Sequence, residues 1–503
     1  MTMISRVLGL VRDVVIATMV GTSAGADVYF FANRIPNFLR RLFAEGAFAQ
    51  AFVPVMSEVK EKHGDDAVRE LFAKVSGTLG VVVTIVTLLG VLGSSVIVAV
   101  FGFNWFLQWF NGTGEGKFEM ASLMLKITFP YLWFISLVAL SGAILNTYNK
   151  FAAAAFTPVL LNIAIIVSAW LLSSSFEVPA MSLAIGVFIG GLVQFLFQLP
   201  FLAKQGLLVR PRWAWHDEQV KKIRTLMLPA IFGVSVNQIN LLVDTIIASF
   251  LVTGSISWLY YADRLIEFPL GLFGIGIATV ILPALSRQHV NNDPQQFSRT
   301  MDWGVRFIAV MGAPAMVGLM IMAKPIIAVL YLRGEFSESA VEMVSHSLIA
   351  YACGLLSYMM IKVLAPGYYS RQDIKTPVRF GIIAMVANMV LNLILVQFLA
   401  YVGLALATAM SATLNAFLLY RGLKQQQVYQ FSALTLRFFA KLLLAVSAMA
   451  VVLLTITPAI QVWYDMDLLS KISWLMFYIG CGAASYLAVL VLLGVRLADF
   501  KSS

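Results

Sequence analysis

Five arginines interrupt segments that are otherwise apolar: Arg6 and Arg12 in the first, Arg34 and Arg40 in the second, and Arg264 much further along. A planar guanidinium can engage two phosphate oxygens at once, so arginines in this setting suit the capture of an anionic, phosphorylated ligand. Charge near a bilayer centre costs at least about 2.5 kcal/mol, so these groups need a wet cavity or a partner. Carboxylates stand nearby: Asp13, Asp27 and Glu45 in the first two segments, Asp263 and Glu267 around Arg264. Internal pairing is therefore the competing reading, through Arg12 with Asp13, Asp263 with Arg264, and Arg41 with Glu45 one helical turn on. Cations outnumber carboxylates on the first two segments, which favours an anion-attracting cavity over pairing alone.

A second constellation suits a monovalent cation. Asp244 is an isolated carboxylate in an apolar segment, Asn388 and Asn392 are spaced to share one helix face, and Thr408 follows. Carboxylate, amide and hydroxyl oxygens are ligands for Na+ or a proton. The competing role for the asparagines is interhelical hydrogen bonding, with Asp244 facing water.

Enzymatic chemistry has little material. His63, His216, His289 and His346 are scattered and show no metal-ligand spacing. Cys353 and Cys481 both lie inside apolar stretches and read as small buried hydrophobes. The stretch Gly112-Thr113-Gly114-Glu115-Gly116-Lys117-Phe118 lacks the glycine spacing and the hydroxyl residue of a phosphate-binding loop. The reading is a transporter without a nucleotide site, a cofactor or a catalytic residue.

The elements that must position these residues are membrane spans. The chain has 503 residues, 60% hydrophobic and 12% charged, against about 45–50% and about 25% in soluble domains. A spanning helix needs about 20 apolar residues, and uncharged runs recur at Val75–Gly114, Phe151–Phe176, Val178–Ala203, Phe380–Tyr420, Leu442–Tyr464 and Ile472–Val495. The run Phe380–Tyr420 is long enough for two helices with a tight turn near Ala400-Tyr401-Val402-Gly403. The expectation is an all-α polytopic membrane protein with fourteen spans. Arg6 falls so soon after Met1 that the first span reads as clipped.

Basic residues orient the spans. One set of connections carries Lys60, Lys62, Arg69 and Lys74, then Arg210, Arg212, Lys221, Lys222 and Arg224, then Arg371, Lys375 and Arg379. The opposite set carries only Lys117, Arg333 and Lys471, which places both termini in the cytoplasm. Because the +10 net charge is spread over many connections, nucleic-acid binding is excluded. Trp105, Trp109, Trp213, Trp215, Trp303 and Trp463 lie near expected span ends, as an aromatic belt would.

Self-comparison exposes a duplication. Phe30 to Phe38 aligns without gaps on Tyr260 to Phe268 at an offset of 230, matching Ala32-Asn33-Arg34 to Ala262-Asp263-Arg264, and Leu42-Phe43 and Gly46 fall on Leu272-Phe273 and Gly276. Tyr148 followed by Thr157-Pro158-Val159 is echoed by Tyr368 followed by Thr376-Pro377-Val378. Repeated halves are common in transporters, with the ligand near the midplane. The expected architecture is two pseudo-symmetric six-helix bundles, 1–211 and 212–424, around a central cavity, plus a helix pair in 425–503.

Four strings carry a resemblance to a known family: Ser5-Arg6-Val7-Leu8-Gly9 with Arg12-Asp13, the stretch from Arg34-Ile35-Pro36-Asn37 to Phe48, the stretch from Tyr260 to Pro269, and Ala365-Pro366-Gly367-Tyr368 to Pro377. With these the chain resembles, over essentially its whole length, the lipid II flippases (MurJ) of the MOP exporter superfamily. The resemblance implies a fourteen-helix fold, a V-shaped cavity, and a groove at the last two helices for a polyprenyl tail. It places Arg6, Arg12 and Arg264 on the family's cavity arginines. It puts Arg34, Arg40, Asp27, Glu45, Ser257, Asp263, Glu267 and Lys362 on functional or gating positions, with Asp13 beside them as a cavity polar group. The cation constellation resembles a sodium site of some members, although Asn392 stands where those carry a carboxylate. The implied substrate is lipid II, flipped across a bacterial inner membrane by alternating access and driven by membrane potential or by coupling to Na+ or H+. Implied partners are membrane lipids and the cell-wall synthesis machinery, with the chain a monomer. Rival readings are a flippase for another polyprenyl-diphosphate saccharide, a multidrug antiporter and a non-transporting scaffold.

Overall fold

A computed structural model describes residues 2–41 and 48–495. These residues are helical with no strand, as an apolar chain requires when lipid offers its backbone no hydrogen bonds. Ten stretches among them are long and apolar enough to cross a membrane. The chain divides into two compact units, Met1–Ser257 with Arg333–Phe336, and Trp258–Leu332 with Ser337–Ser503.

The first unit holds α1 (Thr2–Val20), α2 (Ala24–Leu39), α3 (Phe48–Leu92), α4 (Ser94–Phe101), α5 (Phe103–Phe110), α6 (Lys117–Thr128), α7 (Tyr131–Thr147), α8 (Phe151–Leu172), α9 (Met181–Lys204) and α10 (Glu218–Ala248). Next come α11 (Ser255–Pro269), whose first turn lies in the first unit, then α12 (Ile275–Val290), α13 (Pro294–Ile321), α14 (Ala323–Tyr331) and α15 (Glu338–Ala352). The chain ends with α16 (Leu355–Leu364), α17 (Pro366–Tyr369), α18 (Lys375–Gln425), α19 (Ala433–Ile456), α20 (Ile460–Asp465) and α21 (Leu468–Leu492).

Helix starts follow capping chemistry, in which a side-chain oxygen accepts from main-chain N–H groups left unpaired in the first turn. Ser23 caps α2, Asp217 caps α10, Asp293 caps α13 with Pro294 behind it, Ser432 caps α19 and Asp467 caps α21. Two long helices are broken internally, α3 at Gly64 (φ 78°) and α18 at Ala400 (φ 47°). The turn expected near Ala400 is therefore present. It is tight: a Cβ on Gly403 would lie 2.5 Å from the Leu395 carbonyl oxygen.

In the first unit α8 packs against both α1 and α9. Small residues let the α8 and α9 backbones meet, since a Cβ on Gly186 would come within 2.9 Å of the Ile165 Cα. In the second unit α19 and α21 pack on α13 and α14 through a dry core that includes Leu442, Met449, Trp463, Tyr478 and Tyr486. The Tyr486 hydroxyl donates to the Val310 carbonyl at 2.8 Å. Close by, at the start of α19, Arg306 Nε donates to Thr435 Oγ1 at 2.8 Å, and Tyr429 donates to Asp302 at 2.7 Å.

Several sequence expectations need correction. Cys353 is exposed and Cys481 half-buried, because an apolar stretch facing lipid leaves its outer side uncovered. Trp105 packs on Phe31 at 4.8 Å and Trp463 is fully buried, so neither belongs to an exposed aromatic belt. Trp109 and Trp213 are exposed, as that reading requires.

Candidate functional site

On α1 the positions Ser5 and Arg12 are seven residues apart and so lie on one face, turned toward α8. Arg12 folds back on Asp13: Nε and Nη2 both donate to Asp13 Oδ1, at 3.0 and 2.6 Å. Nη1 donates across to Asn162 Oδ1 on α8 at 3.0 Å. The side chains are 15% and 4% exposed for Arg12 and Asp13. The pairing alternative for Arg12 is thus realised, with a neutral amide as third member. Arg6 lies half-buried on the same helix.

On α2 the fully enclosed carboxylate of Asp27 accepts three hydrogen bonds: Gly254 N–H at 2.6 Å, Ser257 N–H at 2.9 Å and Ser257 Oγ at 2.6 Å. It caps the first turn of α11 from a distant part of the chain, serving main-chain groups that no local side chain serves. Residues 27 and 257 differ by the repeat offset of 230, so Asp27 meets its own sequence counterpart. Two turns along α2, Arg34 Nη1 donates to Thr245 Oγ1 on α10 at 2.9 Å, next to the half-buried Asp244. Arg40 Nε donates to Asn37 Oδ1 at 3.2 Å. Glu45, and with it the Arg41–Glu45 pair, lies outside the described residues.

In the second unit Arg264 pairs with Glu267 one helical turn on, Nη1 to Oε2 at 2.6 Å, with its guanidinium 4.9 Å from the Tyr260 ring centre. The pair is one-third to one-half exposed. Asp263 is half-buried on the same helix, and Lys362 is exposed on α16.

The three cation candidates of the second unit come together. Asn392 Nδ2 donates to Asn388 Oδ1 at 3.1 Å, Asn388 Nδ2 to Thr408 Oγ1 at 3.4 Å, and Thr408 Oγ1 to the Leu404 carbonyl at 2.9 Å. This is a neutral chain of hydrogen bonds between the two halves of α18, the arrangement the interhelical alternative describes.

Two participants escaped sequence reasoning. Asn162 and Thr245 hold arginines yet carry no charge, so a survey of intramembrane charges passes over them. The signal available for Asn162 was a single amide in the middle of the apolar run Phe151–Phe176.

With this geometry in hand, similarity to known proteins is extensive. Residues 16–473 match the family described as Lipid II flippase MurJ. A probable lipid II flippase MurJ of Vibrio cholerae is 63% identical, covering 100% of this chain and 96% of the relative. The lipid II flippase MurJ of Burkholderia cenocepacia is 40% identical over 89% of this chain and 87% of its own. Among solved structures, a lipid II flippase MurJ in an inward closed conformation aligns with a TM-score of 0.82 at 28% identity, covering 98% of this chain and 97% of that one. An inward-facing multidrug transporter of the MOP superfamily aligns with a TM-score of 0.70 at 12% identity over 84% of this chain, a likeness of fold alone.

Proposed function

The chain belongs to the MurJ family and is a lipid II flippase, a transporter rather than an enzyme, and we propose that it works by alternating access from an arginine-lined, hydrated chamber. Lipid II is the lipid-linked precursor of peptidoglycan, whose diphosphate joins a polar head to a polyprenyl tail. Unaided crossing would desolvate several charges in hydrocarbon, a prohibitive barrier. Arg6, Arg12, Arg34, Arg40 and Arg264 are the side chains that replace water around that diphosphate. The observation that carries this reading is Arg12, a largely buried cation on α1 held by the Asp13 carboxylate and, across to α8, by the neutral amide of Asn162. An inert scaffold would gain by replacing such a residue with leucine.

In this reading fourteen spans form bundles 1–211 and 212–424, and the remaining α19 and α21 offer the tail a groove. The dry packing of these two helices on α13 and α14 supports a fixed tail-binding wall. Asp27 with Ser257, and Glu267 with Arg264, are contacts that exchange as access alternates. The chain sits in a bacterial inner membrane with both termini cytoplasmic, which the spread of basic residues supports. Outward movement of net negative charge gains about 2.3 kcal/mol per charge per 100 mV, enough for the membrane potential to drive export. Additional coupling to Na+ or H+ would draw on Asp244, or on Asn388, Asn392 and Thr408.

The decisive experiment depletes the protein in its host, measures lipid II on the cytoplasmic leaflet, and attempts rescue with Arg12→Ala and with Arg264→Ala. Accumulation without rescue by either variant is expected. Normal rescue by both would end the arginine reading.

A further inference from the structure

Asn162 sits near the centre of α8, 6% exposed, in a helix with no charged residue. Thr157, also buried on α8, turns back on its own helix by donating to the Ala154 carbonyl at 2.8 Å. Asn162 instead reaches α1 at two points one heptad apart. Its Oδ1 accepts from Arg12 Nη1 at 3.0 Å, and its Nδ2 donates to the Ser5 carbonyl at 3.3 Å. The two contacts fix each other: a flipped amide would turn its NH2 toward the guanidinium and its oxygen toward a carbonyl. Gly9 lies between them on the same face, close beside the amide: a Cβ there would stand 3.9 Å from Asn162 Nδ2. Behind Asn162, α8 is seated hard against α9, where Gly190 meets Leu161 and Gly186 meets Ile165. The amide is therefore presented from a rigid helix rather than a loop.

We infer that Asn162 is a positioning residue for transport, holding the Arg12 guanidinium in the orientation that receives the diphosphate. This deepens the reading of Arg12 as a substrate ligand and rests on it. Adjacent helical residues point about 100° apart, so Asp13 alone draws the guanidinium sideways along α1. The Asn162 oxygen supplies a second fixed point on α8. Being neutral, it orients the cation without adding a second negative charge to that of Asp13. A carboxylate here would orient equally well but would compete with the substrate.

The test uses the full chain in proteoliposomes, measuring lipid II flipping as KM and maximal rate, with thermal melting alongside. Removing one hydrogen bond to a charged group should raise KM about tenfold in Asn162→Leu, with a much smaller change in maximal rate. Asn162→Asp should raise KM further at neutral pH and recover toward wild type in acid, as the introduced carboxyl takes a proton. Asn162→Leu and wild type should lack that pH dependence. Asn162→Leu combined with Arg12→Ala should have the KM of Arg12→Ala alone. The inference is overturned if both Asn162 variants only lower the melting temperature, or if KM stays at wild type while Arg12→Ala raises it. Should Arg12→Ala itself leave KM unchanged, the arginine reading falls and this inference with it. If Asn162→Leu does not fold, Asn162→Ser must show the KM rise, and its absence is equally decisive.

Discussion

Removing the Asp27 carboxylate should unpeg the start of α11. Asp27→Ala leaves the Gly254 and Ser257 N–H groups buried without acceptors. Each such group costs about 1–3 kcal/mol, and loss of an N-cap by itself costs about 0.5–2. A local destabilisation of about 3–5 kcal/mol follows, allowing for overlap between the two estimates. Ser257→Ala removes only the hydroxyl donor and keeps both main-chain bonds, so it should cost about 1 kcal/mol. Asp27→Asn should fall between wild type and Asp27→Ala, because its amide oxygen can keep the bonds from Ser257 while its NH2 faces the Gly254 N–H. The assay is amide hydrogen exchange in detergent or nanodiscs, read at residues 254 and 257. Acceleration of more than about 100-fold is expected in Asp27→Ala, and about fivefold in Ser257→Ala. Wild-type protection in Asp27→Ala, or a larger effect in Ser257→Ala, would refute the remote cap.

Other outcomes are open to measurement. Imposed voltage should change the rate of reconstituted flipping, and indifference to voltage would remove the membrane potential as driver. At Asp217, burial pushes the carboxyl up, but hydrogen bonds and charge from Lys74, with the Val220 and Gln219 N–H groups, outweigh it and hold the group below its usual range. Its folded-state pKa is depressed, so its stabilisation is present above the ordinary value of about 3.9 and fades as pH falls through the folded value. The melting gap between wild type and Asp217→Asn should therefore be constant above about pH 5 and close below about pH 4. Gly186→Ala forces a Cβ to 2.9 Å from the Ile165 backbone and should lower stability by about 1–3 kcal/mol, seen as a lower melting temperature. Tyr429→Phe removes the donor to buried Asp302 and should cost about 1–2 kcal/mol by the same measure.

The class of this protein was readable from composition, and its family from four polar strings within apolar segments. The break at Ala400 was readable too, because the uncharged run around it was too long for one helix. Other features left no trace. The partners of Asp27 include two main-chain N–H groups, which every residue but proline possesses, so no side-chain pattern announces the contact. Asn162 and Thr245 are neutral and pass unnoticed in a search for charges. The misreading of Trp105, Trp463 and Cys353 has one origin. Hydropathy reports that a segment is apolar without saying which side of the helix meets protein and which meets lipid.

The bond between Asp27 and Ser257 also bears on how the duplication became useful. Were the two copies still identical, residue 27 would face its duplicate, and an aspartate there would set two anions against each other in a dry setting. A serine in both places would leave main-chain donors short of a strong acceptor. Divergence at this single pair resolves both conflicts, acid on one copy and hydroxyl on the other. The asymmetry of the two copies is thus built into the joint itself, and restoring symmetry there in either direction should be harmful.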